Sequence, residues 1–229
     1  MKLQFIIVGW HFENFPNLIS ELIELNKNEE IDIFWSCHRE PSDRVKENFT
    51  YKVFPNLGLE DGAYQQALDY LELSDDTILF LMHDDIEVKD WNFINECMSR
   101  LQQGHAFIGN GINYPVVIDP QAEVGGRKTM DYIKEESKYM FDEPMHSLTL
   151  RESFICTTRK YMKEIHDFEV IWEEPQPDEN GDYHIGAIGN LQQSLLGYKV
   201  TKKFGNRVSY LSDTYQDSNY LYEYARGKK

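Results

Sequence analysis

The segment Ile78-Leu79-Phe80-Leu81-Met82 is apolar at every position and stops abruptly at His83-Asp84-Asp85. With Thr77 it has the length of a β-strand. A strand apolar on both faces must be covered on both sides, as in a parallel sheet between two helix layers. Phe5 to Val8, ended by Gly9, is a second such run, and Ile31 to Trp35 is a third, closed by the polar segment Ser36 to Asp43. Between these two, Leu18, Ile19, Leu22, Ile23 and Leu25 recur at helical spacing behind Pro16, a residue suited to the first turn of a helix. Tyr51 to Phe54 reads as a further strand. Asp61 and Gly62 lead into a helix carrying Ala63, Ala67, Leu68 and Leu71. A helix from Trp91 to Leu101 and a strand from Ala106 to Gly109 continue the alternation. The first 110 residues therefore predict a doubly wound α/β unit.

The second half is less regular. Residues 112 to 147 hold Pro115, Pro120, Gly125, Gly126 and Pro144 among mixed charges and predict loops and short strands. Leu148 to Thr157 reads as a strand pair and Arg159 to Ile165 as a short helix. Glu173 to Asp182 is an acidic exposed loop, and Ile185 to Leu196 is a helix stopped by Gly197. Val208 to Leu211 is a last strand, and a polar, tyrosine-rich tail follows Asp213. At 229 residues the chain has room for one sizeable core. The expectation is one domain over 1–229, with a regular half over 1–110 and a less regular half and tail over 111–229.

Charge narrows the partners. The formal net charge is −16, which repels nucleic-acid backbones and anionic membrane surfaces. Cys37, Cys97 and Cys156 are too few for a disulfide framework and read as reduced, buried thiols. The amino-terminal apolar run is too short to span a bilayer and lacks a cleavage site, so a cytoplasmic protein without a transmembrane segment is expected.

In an open α/β sheet the carboxyl ends of the strands face the ligand crevice. Two carboxylates there, Asp84 and Asp85, repel each other unless a cation joins them, and a divalent cation would let an acidic chain accept a diphosphate. The same pair also suits a turn followed by an N-cap. Glu87 is two residues on, as a water-mediated ligand or a solvent-facing acid.

The order of these features resembles nucleotide-diphospho-sugar glycosyltransferases of the GT-A fold, of the family-2 type. The resemblance is carried by the strand ending at Gly9, the stretch from Asn56-x-Gly58 through Gly62 to Ala67, and His83-Asp84-Asp85 in place of an x-Asp-Asp motif. Two later marks are the run Glu152 to Glu169 and the segment Leu195-Leu196-Gly197-Tyr198-Lys199-Val200. It implies a mostly parallel central sheet flanked by helices and a metal-dependent transfer from a nucleotide-sugar donor to a saccharide or glycan acceptor. Mn2+ or Mg2+ would be held by Asp85 and Asp84, with Asp84 also reaching ribose or sugar hydroxyls. Gly9, His11, Gly62 and Gln66 would line the donor side. Inversion at the anomeric carbon is likewise implied by the resemblance alone.

For the base, Asp182 is the first candidate, near a helix N-terminus that favours its charged form, and Glu174 is the second. Asp182 also reads as an N-cap or one more acid of a solvated loop. Trp172, which interrupts that loop, and Tyr183 are candidate platforms for the acceptor sugar. Trp35, Trp91 and Tyr114 suit the core as well as a platform, and Arg127, Lys128 and Arg207 suit a phosphate or a surface ion pair. The sequence departs from the family at two places. Ser36, Cys37 and His38 stand where an acid often follows the second strand. The late Glu-Asp pair falls on Ile185 and Gly186, and His184 is the nearest candidate for a histidine ligand. A binding protein without catalysis on the same fold, and a nucleotidyltransferase, are the alternatives. The second is disfavoured because Gly9 to Pro16 contains no lysine or arginine.

Overall fold

Strands and helices alternate along the first half: β1 (Leu3–Gly9), α1 (Pro16–Leu25), β2 (Ile31–Cys37), α2 (Asp43–Asn48), β3 (Thr50–Val53), α3 (Leu59–Tyr70), β4 (Ile78–His83), β5 (Ile86–Val88), α4 (Phe93–Gln102) and β6 (Phe107–Gly111). Then come β7 (Val116–Ile118), β8 (Glu123–Val124), β9 (Arg127–Lys128), β10 (Met145–Ser147), β11 (Phe154–Thr158), α5 (Arg159–Glu164), α6 (Gly186–Phe204), β12 (Val208–Ser212) and β13 (Leu221–Glu223). The computed structural model describes residues 2–12, 16–111, 116–124, 127–147, 150, 153–173, 186–214 and 217–223.

Seven strands form the central sheet in the order β12-β6-β11-β4-β1-β2-β3. β4, β1, β2 and β3 run parallel, as do β12 and β6. β11 is reversed, antiparallel to both β4 and β6. The fold is thus a mostly parallel sheet flanked by helices, as the apolar runs predict.

Every residue of β1 and β4 is buried. Because side chains alternate across a strand, the two faces feed two cores. Phe5, Ile7, Phe80 and Met82 pack with Leu18, Ile19 and Leu22 of α1 and Phe93 and Cys97 of α4. Ile6, Val8, Leu79 and Leu81 pack with Ala63, Ala67 and Leu68 of α3 and Leu196 and Val200 of α6. A third cluster sets Ile118, Ile133, Met140 and Phe141 against Leu191, Leu195 and Tyr198 of α6.

One expectation needs correction. Gly197 does not stop a helix: α6 continues to Phe204, because Tyr198, Lys199 and Val200 are fully buried on it and tertiary packing outweighs the cost of one glycine. The stop is Gly205, whose φ of 53° takes the left-handed conformation. Of the stretch Leu148 to Thr157, Leu150 and Ser153 to Thr157 are among the described residues, and Phe154–Thr158 forms a strand inserted into the main sheet. In the polar tail, Leu221 and Glu223 are buried where β13 pairs with β5.

Candidate active site

β1 leads outward through β2 to β3, whereas β4 is added on the opposite side of β1. The carboxyl ends of β1 and β4 therefore flank the point where the strand order reverses, the place at which open α/β sheets form a ligand crevice. The turn Trp10-His11-Phe12 and the triplet His83-Asp84-Asp85 meet there.

Asp84 shapes that turn. Its Oδ2 accepts the backbone N–H groups of Trp10, His11 and Phe12 at 2.8, 2.6 and 2.7 Å, and its own N–H donates to the Val8 carbonyl at 3.1 Å. One oxygen thus gathers three consecutive donors and bends the chain sharply, with Phe12 at a φ of 32°. Burial pushes the Asp84 carboxyl up to about 6, against the pull of these N–H groups and of Arg39.

Asp85 is the second acid of the crevice. It is 8% exposed, and its Oδ1 is 3.8 Å from His83 Nδ1. Burial first, and the Asp84 charge second, push it up to about 6, while His11 favours its ionised form. The His83 ring stacks on Tyr64, which stacks in turn on Phe168, so the wall beneath the acids is aromatic. Glu87 is exposed on β5.

A third acid arrives from far along the chain. Register places Glu223 of β13 opposite Ile86, next to Asp85, and its charge acts on Asp85. It is buried and accepts from Asn110 Nδ2 at 3.0 Å and Ser153 Oγ at 2.6 Å. Sequence reasoning missed it, since a three-residue strand is too short to show periodicity.

His11 stands beside the acids, with its N–H donated to Asp84 and its charge acting on Asp85. Gly9 and Gly62 answer to packing. A Cβ on Gly9 would lie 2.5 Å from Phe12 Cε1, and one on Gly62 would lie 1.8 Å from the Leu57 carbonyl oxygen. Gln66 lies at the β2 side, with its Oε1 3.0 Å from His38 Nε2 and its Nε2 donating to the Pro55 carbonyl. Trp172 is 46% exposed beside Glu173, whose carbonyl accepts the Gly58 N–H. Arg127 pairs with Glu173, and Arg207 bonds Tyr161 and the Gly104 carbonyl. Trp35 is wholly core. Asp182, Glu174, Tyr183, His184 and Tyr114 lie outside the described residues.

The segment leading to Trp172 is anchored from below. Gln192 of α6 accepts the Ile171 N–H at 2.7 Å and donates to the Gly58 carbonyl at 3.0 Å. Glu169, fully buried, accepts from the Lys134 N–H at 2.7 Å, from the Ser137 hydroxyl and from Lys199 Nζ at 2.8 Å. Lys199 also donates to the Asp167 carbonyl, and Arg159 grips the Asp167 carboxylate with two N–H groups. Those bonds hold His166 and Asp167 at φ values of 59° and 56°.

No group of three or more metal-ligating side chains occurs among the described residues. Asp84 and Asp85 carry carboxylate oxygens, the ligand type that hard divalent cations take. Among the described residues no helix is long and apolar enough to cross a membrane.

No protein-family model matches the sequence, and comparison with curated proteins gives no match. Among solved structures, the chain is similar to glucosyl-3-phosphoglycerate synthase from Mycobacterium tuberculosis in complex with phosphoglyceric acid. The TM-score is 0.48 at 11% identity, over 99% of this chain and 73% of that one. It is also similar to the galactosyltransferase LgtC in complex with donor and acceptor sugar analogs, with a TM-score of 0.43 at 10% identity over 90% of this chain and 72% of that one. Residues 1–349 of S. aureus TarS give 0.49 at 17% identity, over 97% of this chain and 60% of that one. At these identities the likeness is one of fold and assigns no residue a role.

Proposed function

We propose that the chain is a metal-dependent glycosyltransferase that moves a sugar from a nucleotide-diphosphate donor to a saccharide acceptor. The observation that carries this reading is the acidic pair at the switch point, in which Asp84 is engaged by the β1 turn and Asp85 stands beside it at the crevice. Mn2+ or Mg2+, when bound, would stabilise the charge that develops on the departing diphosphate. Asp85 would hold that cation, and Asp84 would fix the turn against which the donor lies. His11 would contact the donor from the turn. Trp172 would offer its exposed ring to the acceptor sugar, supported by the bonds through Gln192 and Gly58. Asp182, with Glu174 second, is the group proposed to take the acceptor hydroxyl proton. A single base opposite the leaving group would give one displacement with inversion.

Calorimetry against a panel of nucleotide-sugars, with and without Mn2+, tests the reading. Metal-dependent binding is expected, weakened about tenfold or more in D85N, equivalent to about 1.4 kcal/mol. Equal affinity with and without metal, or in D85N and wild type, would sink it. Product formed in the same tubes separates an enzyme from a binding protein.

A further inference from the structure

We propose that Arg39 is the side chain through which this crevice grips a phosphate group of its ligand. Gly9 and Cys37 are paired where β1 and β2 end, so Arg39, two residues beyond, stands beside the β1 turn. Its guanidinium carbon lies over the rings of both Trp10 and Phe12, 5.3 Å from each centroid. β1 separates β2 from β4, which puts the two outer strands about 10 Å apart, and the positive charge is felt at Asp84.

Three observations single out this arginine. Among the described residues no carboxylate is within ion-pair distance of Arg39. Arg100, Arg127 and Arg159 are paired with Glu96, Glu173 and Asp167, while Arg44 bonds Ser20 and Arg207 bonds Tyr161. In a chain with 39 acidic residues, an exposed arginine held on two aromatic rings with no acid paired to it among the described residues is a cation kept available. The turn beside it cannot do the same work with its backbone, because the N–H groups of Trp10, His11 and Phe12 are all directed to Asp84 Oδ2. Nor does His38 supply charge, since burial lowers its pKa and its Nε2 is engaged by Gln66. Rings under the guanidinium leave its edge donors outward, and a planar fork of N–H groups matches phosphate oxygens two at a time.

Taking the phosphate to be the donor's rests on the functional reading above. The test uses the full chain, titrated in metal-free buffer with inorganic pyrophosphate, with nucleoside diphosphates and with a hexose phosphate, for wild type, R39Q and R39K. R39Q is expected to weaken pyrophosphate and nucleoside diphosphate about tenfold and to flatten the salt dependence, with unchanged thermal unfolding. R39K, which keeps the charge and loses the fork, falls between. A loss confined to the hexose phosphate still supports the contact but moves it to the acceptor. Wild-type and R39Q affinities within about twofold for all three probes, or no binding of any by wild type, would overturn the proposal. The metal-dependent binding of nucleotide-sugars and its loss in D85N report separately on the functional reading.

Discussion

Asp84→Ala is expected to lower the unfolding free energy by about 3–5 kcal/mol, read as a shifted denaturant midpoint at constant slope. The substitution strands three adjacent backbone N–H groups, one buried at Phe12 and two half-buried at Trp10 and His11, around a carboxylate that is itself 2% exposed. Each buried donor without a partner costs about 1–3 kcal/mol, reduced here because the freed turn can rearrange toward solvent. Asp84→Asn keeps an accepting oxygen but not its charge and should lose about half as much. A ligand-facing carboxylate with no structural task would behave oppositely, with stability within about 0.5 kcal/mol of wild type, and that result would refute the role given to Asp84. Both variants should also lose nucleotide binding, because the turn they release carries His11 and supports Arg39.

The second large effect lies beneath the Trp172 segment. Lys199 and Glu169 are both fully buried, and burial pulls the Lys199 amine down to about 8 despite the carboxylate beside it. Lys199→Met leaves Glu169 without a counter-charge and should cost about 3–5 kcal/mol. K199M/E169Q removes the stranded charge while the amide oxygen still accepts from the Lys134 N–H and the amide NH2 can donate to the Ser137 hydroxyl oxygen, so the double variant should recover at least half of that loss. If the double variant is as unstable as the single, or worse, the damage comes from lost packing and not from an unpaired charge. Denaturant unfolding of the wild type and of the single and double variants, with both arms of the cycle, decides it.

How much of this was legible in the sequence follows from what kind of signal each part leaves. β4 and the acids after it were, because a strand covered on both faces has to be apolar throughout and its end is marked by the first charge. α1 and α3 were, through their spacing. α2 follows Ser42, which accepts the Val45 N–H at 3.5 Å as an N-cap, yet its six residues are too few to show a helical period. Gly197 misled because what carries α6 past it is the burial of Tyr198 and Val200 against elements distant in sequence. The task of Asp84 depends on β1 and β4 becoming neighbours, 74 residues apart from Trp10 to Asp84, and no local pattern records that. Glu223 and Arg39 escaped for the same reason: a lone charge in a polar stretch acquires meaning only from what the sheet brings beside it.

The reversed direction of β11 has a practical consequence for anyone wishing to redesign the molecule. Phe154 pairs with Met82 and Thr158 with Ile78, so this strand enters the sheet at the acidic end and leaves at the opposite edge. For the parallel strands, loops after the strand border the ligand. For β11 the rule inverts, and Ser153, just ahead of it, already touches Glu223. Libraries meant to retune selectivity therefore belong upstream of Phe154, whereas diversity introduced past Thr158 would be aimed at the wrong pole of the protein.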